Sequence, residues 1–224
     1  GGNGPMSTPY GICFQTLPDY WRFIENVTSS STWSKNLLQG GGCESWDEML
    51  KPDGDGGDQW RATRSRDDGP VRVYVQLSPR AAEGRYSMQV VAYPANPSDP
   101  PAVIQETPFR FESPAIDVFA GEVVKVSGKV WVNTPPMASS DGFMIYDTLL
   151  GSAGALRWRE DASVGQWIPF QFFRPVPQSG QMRIVLEMTG MGDVQVDDLQ
   201  VVKQGGRPGI FNAPPSTLLP LSQE

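Results

Sequence analysis

Apolar residues recur at every second position along much of the chain, most clearly in QMRIVLEMTGMGDVQVDDLQVV, residues 181–202. There Met182, Ile184, Leu186 and Met188 alternate with Arg183, Val185 and Glu187, which puts one apolar row on one side of a sheet. Gly190 and Gly192 predict a turn, after which Val194, Val196, Leu199 and Val201 resume the row, so the stretch reads as two antiparallel strands. The same β-forming bias marks 71–77, 86–93, 122–132, 142–146 and 167–173, and turns separate these at 79–84, 94–101, 135–141 and 151–154. Short strands with Gly and Pro between them, and no long helical pattern, predict an all-β sandwich of antiparallel sheets.

The ends of the chain read differently. Residues 1–35 form a lead-in segment with a short N-terminal helix over about 18–28, where Tyr20, Phe23, Ile24 and Val27 fall at helical spacing behind Pro18 and Asp19. Residues 36–203 form the β-domain, and 204–224 form a Pro-rich tail expected to run extended.

Composition narrows the function. The 224 residues carry 24 Gly and 21 Pro, which favours turns over helices, and a net charge of −7 with no Lys or Arg run, which argues against nucleic acid. No apolar stretch approaches the roughly 20 residues of a membrane span. The chain starts at Gly1 rather than Met, which suggests a piece of a longer protein. It has no histidine, which excludes Ser-His and Cys-His nucleophile activation and every His-ligated metal site. An enzyme would be left with carboxylate, Tyr or Lys chemistry, and no acid pair stands out, so a non-catalytic role is expected. Cys13 and Cys43 could form a disulfide in an oxidising compartment or remain two buried thiols.

Four short motifs, in order along the chain, carry a family resemblance. Asn36-Leu37-Leu38 with Gly41, Gly42 and Glu44 resembles the opening strand of carbohydrate-binding-module jelly rolls, although Cys43 stands where Phe is usual and Gly41 where Asn is common. Gly84-Arg85-Tyr86-Ser87-Met88, Ala120-Gly121-Glu122-Val123-Val124 and Val194-Gln195-Val196-Asp197-Asp198-Leu199 resemble a strand start, the lead into a central strand and the closing strand. The whole also looks like the C-terminal domain of long exported bacterial proteins. The resemblance implies a two-sheet jelly-roll β-sandwich of the galactose-binding type, placed outside the cell or on its surface and joined to other domains of a parent chain.

Three sets of side chains are candidates for chemistry. Adjacent acids inside an apolar strand need a cation, donors or solvent; for Glu44, Asp197 and Asp198 the resemblance implies a structural calcium. Asp53, Asp55 and Asp58 lack the Gly and Glu spacing of a calcium loop and read as an acidic turn. On 122–132, Val124, Val126, Val130 and Val132 share the core side, so Trp131 faces outward beside Lys125, Ser127 and Lys129. Gln171, Phe173, Arg183 and Glu187 lie opposite the core rows of their own strands. Such a face either binds a polysaccharide or oligosaccharide, with Trp131 and Phe173 stacking on rings and the polar residues bonding hydroxyls, or is covered by another element. The alternative function is a structural or protein-interaction domain with no sugar ligand.

Overall fold

The computed structural model describes residues 6–7, 13–14, 33–50, 58–64 and 69–204, with backbone alone for Met6, Ser7, Cys13, Phe14 and Leu50. The helix expected over 18–28, Asp53 and Asp55, and the tail beyond Gln204 lie outside these residues.

The strands, all antiparallel, are β1 (Met6–Ser7), β2 (Cys13–Phe14), β3 (Arg61–Arg64), β4 (Val71–Ser78), β5 (Ser87–Pro94), β6 (Phe109–Glu112), β7 (Ile116–Val118), β8 (Val123–Asp147), β9 (Leu156–Trp158), β10 (Trp167–Pro175), β11 (Gly180–Met182) and β12 (Ile184–Gln204). One short helix, α1 (Trp46–Leu50), starts behind Ser45, whose Oγ accepts the Glu48 amide at 3.1 Å. This is the antiparallel all-β jelly-roll sandwich expected from the alternation and the motifs.

The hairpin predicted over 181–202 is instead one long strand. β12 pairs with β8 along its whole length, from Ile184 opposite Asp147 to Gln204 opposite Val123. The expected turn at 135–141 likewise falls inside β8. Both strands turn a corner together, where the register of β12 shifts between Thr189 and Val194. The glycines serve this corner: Gly190 sits at φ +116, and a Cβ there would lie 2.6 Å from the Met137 carbonyl oxygen.

The corner divides the sheet into two halves that curl around one core. The front half runs β10, β8 (123–134), β12 (193–204), β5, β4. The back half runs β9, β8 (142–147), β12 (184–189), β6, β3. Ile184, Leu186 and Met188 from the back and Val194, Val196 and Val201 from the front enter the same buried cluster with Val124, Val126, Val130, Val132 and Met88. The segment at 33–38 runs along the end of β12, with the Leu37 amide donating to the Val201 carbonyl at 2.8 Å and Asn36 Oδ1 accepting the Val201 amide at 2.9 Å.

Candidate functional site

With Val71, Val73 and Val75 of β4, Met88 and Val90 of β5, Val130 and Val132 of β8 and Val194 and Val196 of β12 turned to the core, period-two alternation turns the intervening residues to the outer side of the front half. Register then sets them in rows across the strands. Trp167 stands beside Trp131, Trp131 beside Gln195, Gln195 beside Gln89, and Gln89 beside Gln76. A neighbouring row sets Asp193 beside Val91 and Val91 beside Tyr74.

These side chains form a continuous hydrogen-bonded band. Gln76 Nε2 donates to Gln89 Oε1 at 2.8 Å, and Gln89 Nε2 donates to Asp193 Oδ1 at 2.8 Å. Asn133 Nδ2 donates to Asp193 Oδ2 at 3.0 Å, and Asn133 Oδ1 accepts from Trp131 Nε1 at 3.0 Å and from Arg80 at 2.6 Å. Gln195, buried beneath, accepts from Ser87 Oγ at 3.0 Å. Aromatic rings flank the band at both ends. Tyr74 and Tyr93, 41% and 45% exposed, meet edge to face at 6.1 Å, and Trp131 and Trp167 do so at 5.8 Å.

The loop 79–86 crosses this face, and two of the acids expected to hold calcium fasten it. Asp197 is fully buried, and its Oδ2 accepts the Ala82 and Glu83 amides at 2.6 and 3.0 Å. Glu44 accepts the Arg85 amide at 3.0 and 3.1 Å and the Tyr86 amide at 3.5 Å. Gly84, at φ +65, is the residue the clasp demands: a Cβ would lie 2.0 Å from Glu44 Oε1. Burial raises the Asp197 carboxyl above its ordinary range, and its amide donors work against that rise.

Asp198 diverges from Asp197 because the strand bulges there, with Asp198 at φ 52. It accepts from Gln200 Nε2 at 2.7 Å and lies 3.8 Å from Lys129 Nζ. Lys129 is bonded at 2.7 Å to Glu83, which lowers the Glu83 carboxyl and raises the lysine from their usual values. Among the described residues no group of three Asp, Glu or Cys side chains could hold a metal ion. In this structure Glu44, Asp197 and Asp198 are answered by amides and a lysine.

The five residues predicted to share one ligand face do not share it. Trp131 stands in the band. Gln171 is exposed on the same side of β10, opposite Ser127 and four residues along β8 from Trp131. Phe173 is packed against Trp33 at 6.2 Å, and Lys125 lies 5.1 Å from the same Trp33 ring. Arg183 and Glu187 belong to the back half, because the corner in β12 separates them from Trp131. Arg183 pairs with Asp58 at 2.5 Å and donates to the Ser113 carbonyl at 2.7 Å. Burial pushes the Asp58 carboxyl up, but the Arg183 bond and the Ala115 amide prevail and hold it below its ordinary value. Glu187 accepts from Tyr146 Oη at 2.6 Å and Thr107 Oγ1 at 3.0 Å.

Of the two alternatives left open for Cys13 and Cys43, a bridge or buried thiols, Cys43 holds the thiol. That residue is a buried free thiol whose Sγ lies 3.6 Å from the Gly41 carbonyl oxygen, while the side chain of Cys13 lies outside the described residues.

Sequence reasoning missed Tyr74, Gln76, Gln89, Tyr93, Asn133 and Asp193. The signal for three of these was present, because Val71, Val73 and Val75 set Tyr74 and Gln76 outward and Met88 and Val90 set Gln89 outward. Asn133 and Asp193 flank the corner, where alternation gives no guide.

No protein-family model and no curated protein sequence matches the chain. Several solved structures do. A CBM4 domain is 16% identical, with 75% of this chain and 99% of that one covered and a TM-score of 0.48. The K3 cleaved adhesin domain of Lys-gingipain from Porphyromonas gingivalis is 13% identical, covering 78% and 100%, at 0.46. The CBM22-1 xylan-binding domain of Paenibacillus barcinonensis Xyn10C is 17% identical, covering 80% and 99%, at 0.40. The fold itself rests on the strand pairing, an antiparallel all-β sandwich.

Proposed function

We propose that this chain is a non-catalytic carbohydrate-binding module, exported or held at the cell surface as part of a larger protein, and that the outer face of its front half-sheet is the binding site. The observation that supports this reading is the band from Gln76 to Trp131, with exposed Tyr74 and Tyr93 at one end and half-buried Trp131 and Trp167 at the other. Primary amides both donate and accept, as vicinal hydroxyls do, and aromatic rings cover the apolar C–H faces of pyranoses. Each band residue is held by its neighbour, so little side-chain entropy is lost when a sugar binds. Binding to an open face is modest in strength, because part of the ligand stays in water.

The test is retention of the intact chain on a panel of immobilised and gel-embedded polysaccharides, comparing wild type with the Tyr74→Ala/Tyr93→Ala double variant and with Asn133→Ala. Both variants alter exposed residues, so their melting temperatures should match wild type while retention falls. Wild type that binds no glycan on the panel, or variants that bind unchanged, would overturn the assignment.

A further inference from the structure

Arg80 gives the proposed site a charge preference, and this inference rests on the carbohydrate-binding reading above. The Arg80 guanidinium carbon lies 4.4 Å from the centroid of the Trp131 ring, and Arg80 also donates to Asn133 Oδ1 at 2.6 Å. A cation therefore occupies the ring surface on which a sugar would otherwise stack. The position is built: the Arg80 amide reaches Ser78 Oγ at 3.3 Å, and the Arg80 carbonyl accepts from Ser87 Oγ at 2.6 Å. The next residues of the loop are fastened to Asp197.

Among the described residues no carboxylate pairs with Arg80, although a guanidinium has five N–H donors and only one is bonded here. Asp193, the acid of the band, has both oxygens taken by Gln89 and Asn133. Arg72 adds a second cation on the same side of β4, where its register partner is the exposed Tyr93. A chain with a net charge of −7 thus presents an unneutralised cation at the Trp131 end of its binding band.

We infer that the site selects acidic polysaccharides, with Arg80 receiving the carboxylate of a hexuronate residue in a paired, charge-assisted contact while the amides of the band bond its hydroxyls. Planar guanidinium and carboxylate groups match in two parallel N–H···O bonds. The cation is already desolvated on one face by Trp131, which strengthens that contact.

The experiment uses the intact chain with polygalacturonate, alginate and glucuronoxylan, each paired with its carboxyl-esterified counterpart, and with neutral xylan and galactan. Wild type should bind at least one uronate chain about tenfold more tightly than its esterified form, with affinity falling as salt rises. Arg80→Ala should remove that difference, and Arg80→Lys should restore part of it, with unchanged melting curves throughout. Equal binding of free and esterified chains, or a preference that survives Arg80→Ala, overturns the inference and leaves the carbohydrate-binding reading standing. Absence of binding to every chain, acidic and neutral, overturns both.

Discussion

Cys43 illustrates how one side chain answers to the whole interior. It is wholly buried in the core, at φ 55, between the glycines of the first loop and Glu44. Burial, and after it the nearby Asp197 carboxylate, pushes its thiol up from 9.0 to about 12. A thiolate is the reactive form, so the native thiol is inert. Iodoacetamide at pH 8 should leave Cys43 unmodified in the native chain and modify it fully in urea without reductant. Resistance in urea that disappears only on reduction would mean a disulfide. The linkage has a definite sign. Below pH 9 the thiol is protonated in folded and unfolded chains alike, and stability does not depend on it. Between 9 and about 12 the unfolded chain ionises first, so wild type should lose stability relative to Cys43→Ala as pH rises through that window.

At the scale of elements, what was legible was what repeats with period two. The valines of 122–132 and the apolar row of 182–188 were read correctly as core, and Trp131 was read correctly as outward. What could not be read was the corner. Gly190 and Gly192 are as good for a hairpin turn as for a bend that lets β12 fold against β8, and only pairing over long sequence separation distinguishes the two. That ambiguity displaced Arg183 and Glu187 onto a face they do not occupy. Phe173 failed for a different reason: Trp33 covers it, and nothing in the local pattern around either residue announces the contact. The corner strands also depend on an ion pair that alternation cannot reveal. Asp147, fully buried at the end of β8, binds Arg174 of β10 and accepts the Leu149 and Leu150 amides at 3.0 and 3.1 Å. Arg174 donates also to the Gly154 carbonyl at 2.6 Å. Removing one partner strands the other charge, so Arg174→Met should cost about 3–5 kcal/mol in urea unfolding. Arg174→Met with Asp147→Asn should cost less than Arg174→Met alone, and equal losses would show that packing, not the unpaired carboxylate, sets the penalty.

Among the described residues the main core is enclosed by a curled eight-stranded sheet together with the small β7–β11 sheet, and acids secure that closure from the outer side. Glu44 lies between the first loop and α1, Asp197 lies on the central strand, and both grip the loop between β4 and β5 through backbone amides. A carboxylate that accepts several N–H bonds is stabilised without a metal, because the donors supply the positive potential that a cation would. A resident calcium would bind the native state alone and raise the melting temperature by mass action, by about 2.7 kcal/mol of stability at a hundredfold excess over its dissociation constant. The amide clasp makes no such contribution and no such demand. Thermal unfolding followed by far-ultraviolet circular dichroism and by tryptophan fluorescence should therefore give one coincident transition, because both halves of the sheet share the core. Its midpoint should be the same in millimolar calcium and in excess chelator. Glu44→Gln should lower that midpoint equally in both, since what is lost is the negative charge and second oxygen that accept the Arg85 amide, rather than a metal ligand. A midpoint that rises with calcium in wild type and not in Glu44→Gln would return these acids to the role of ligands and set aside the clasp.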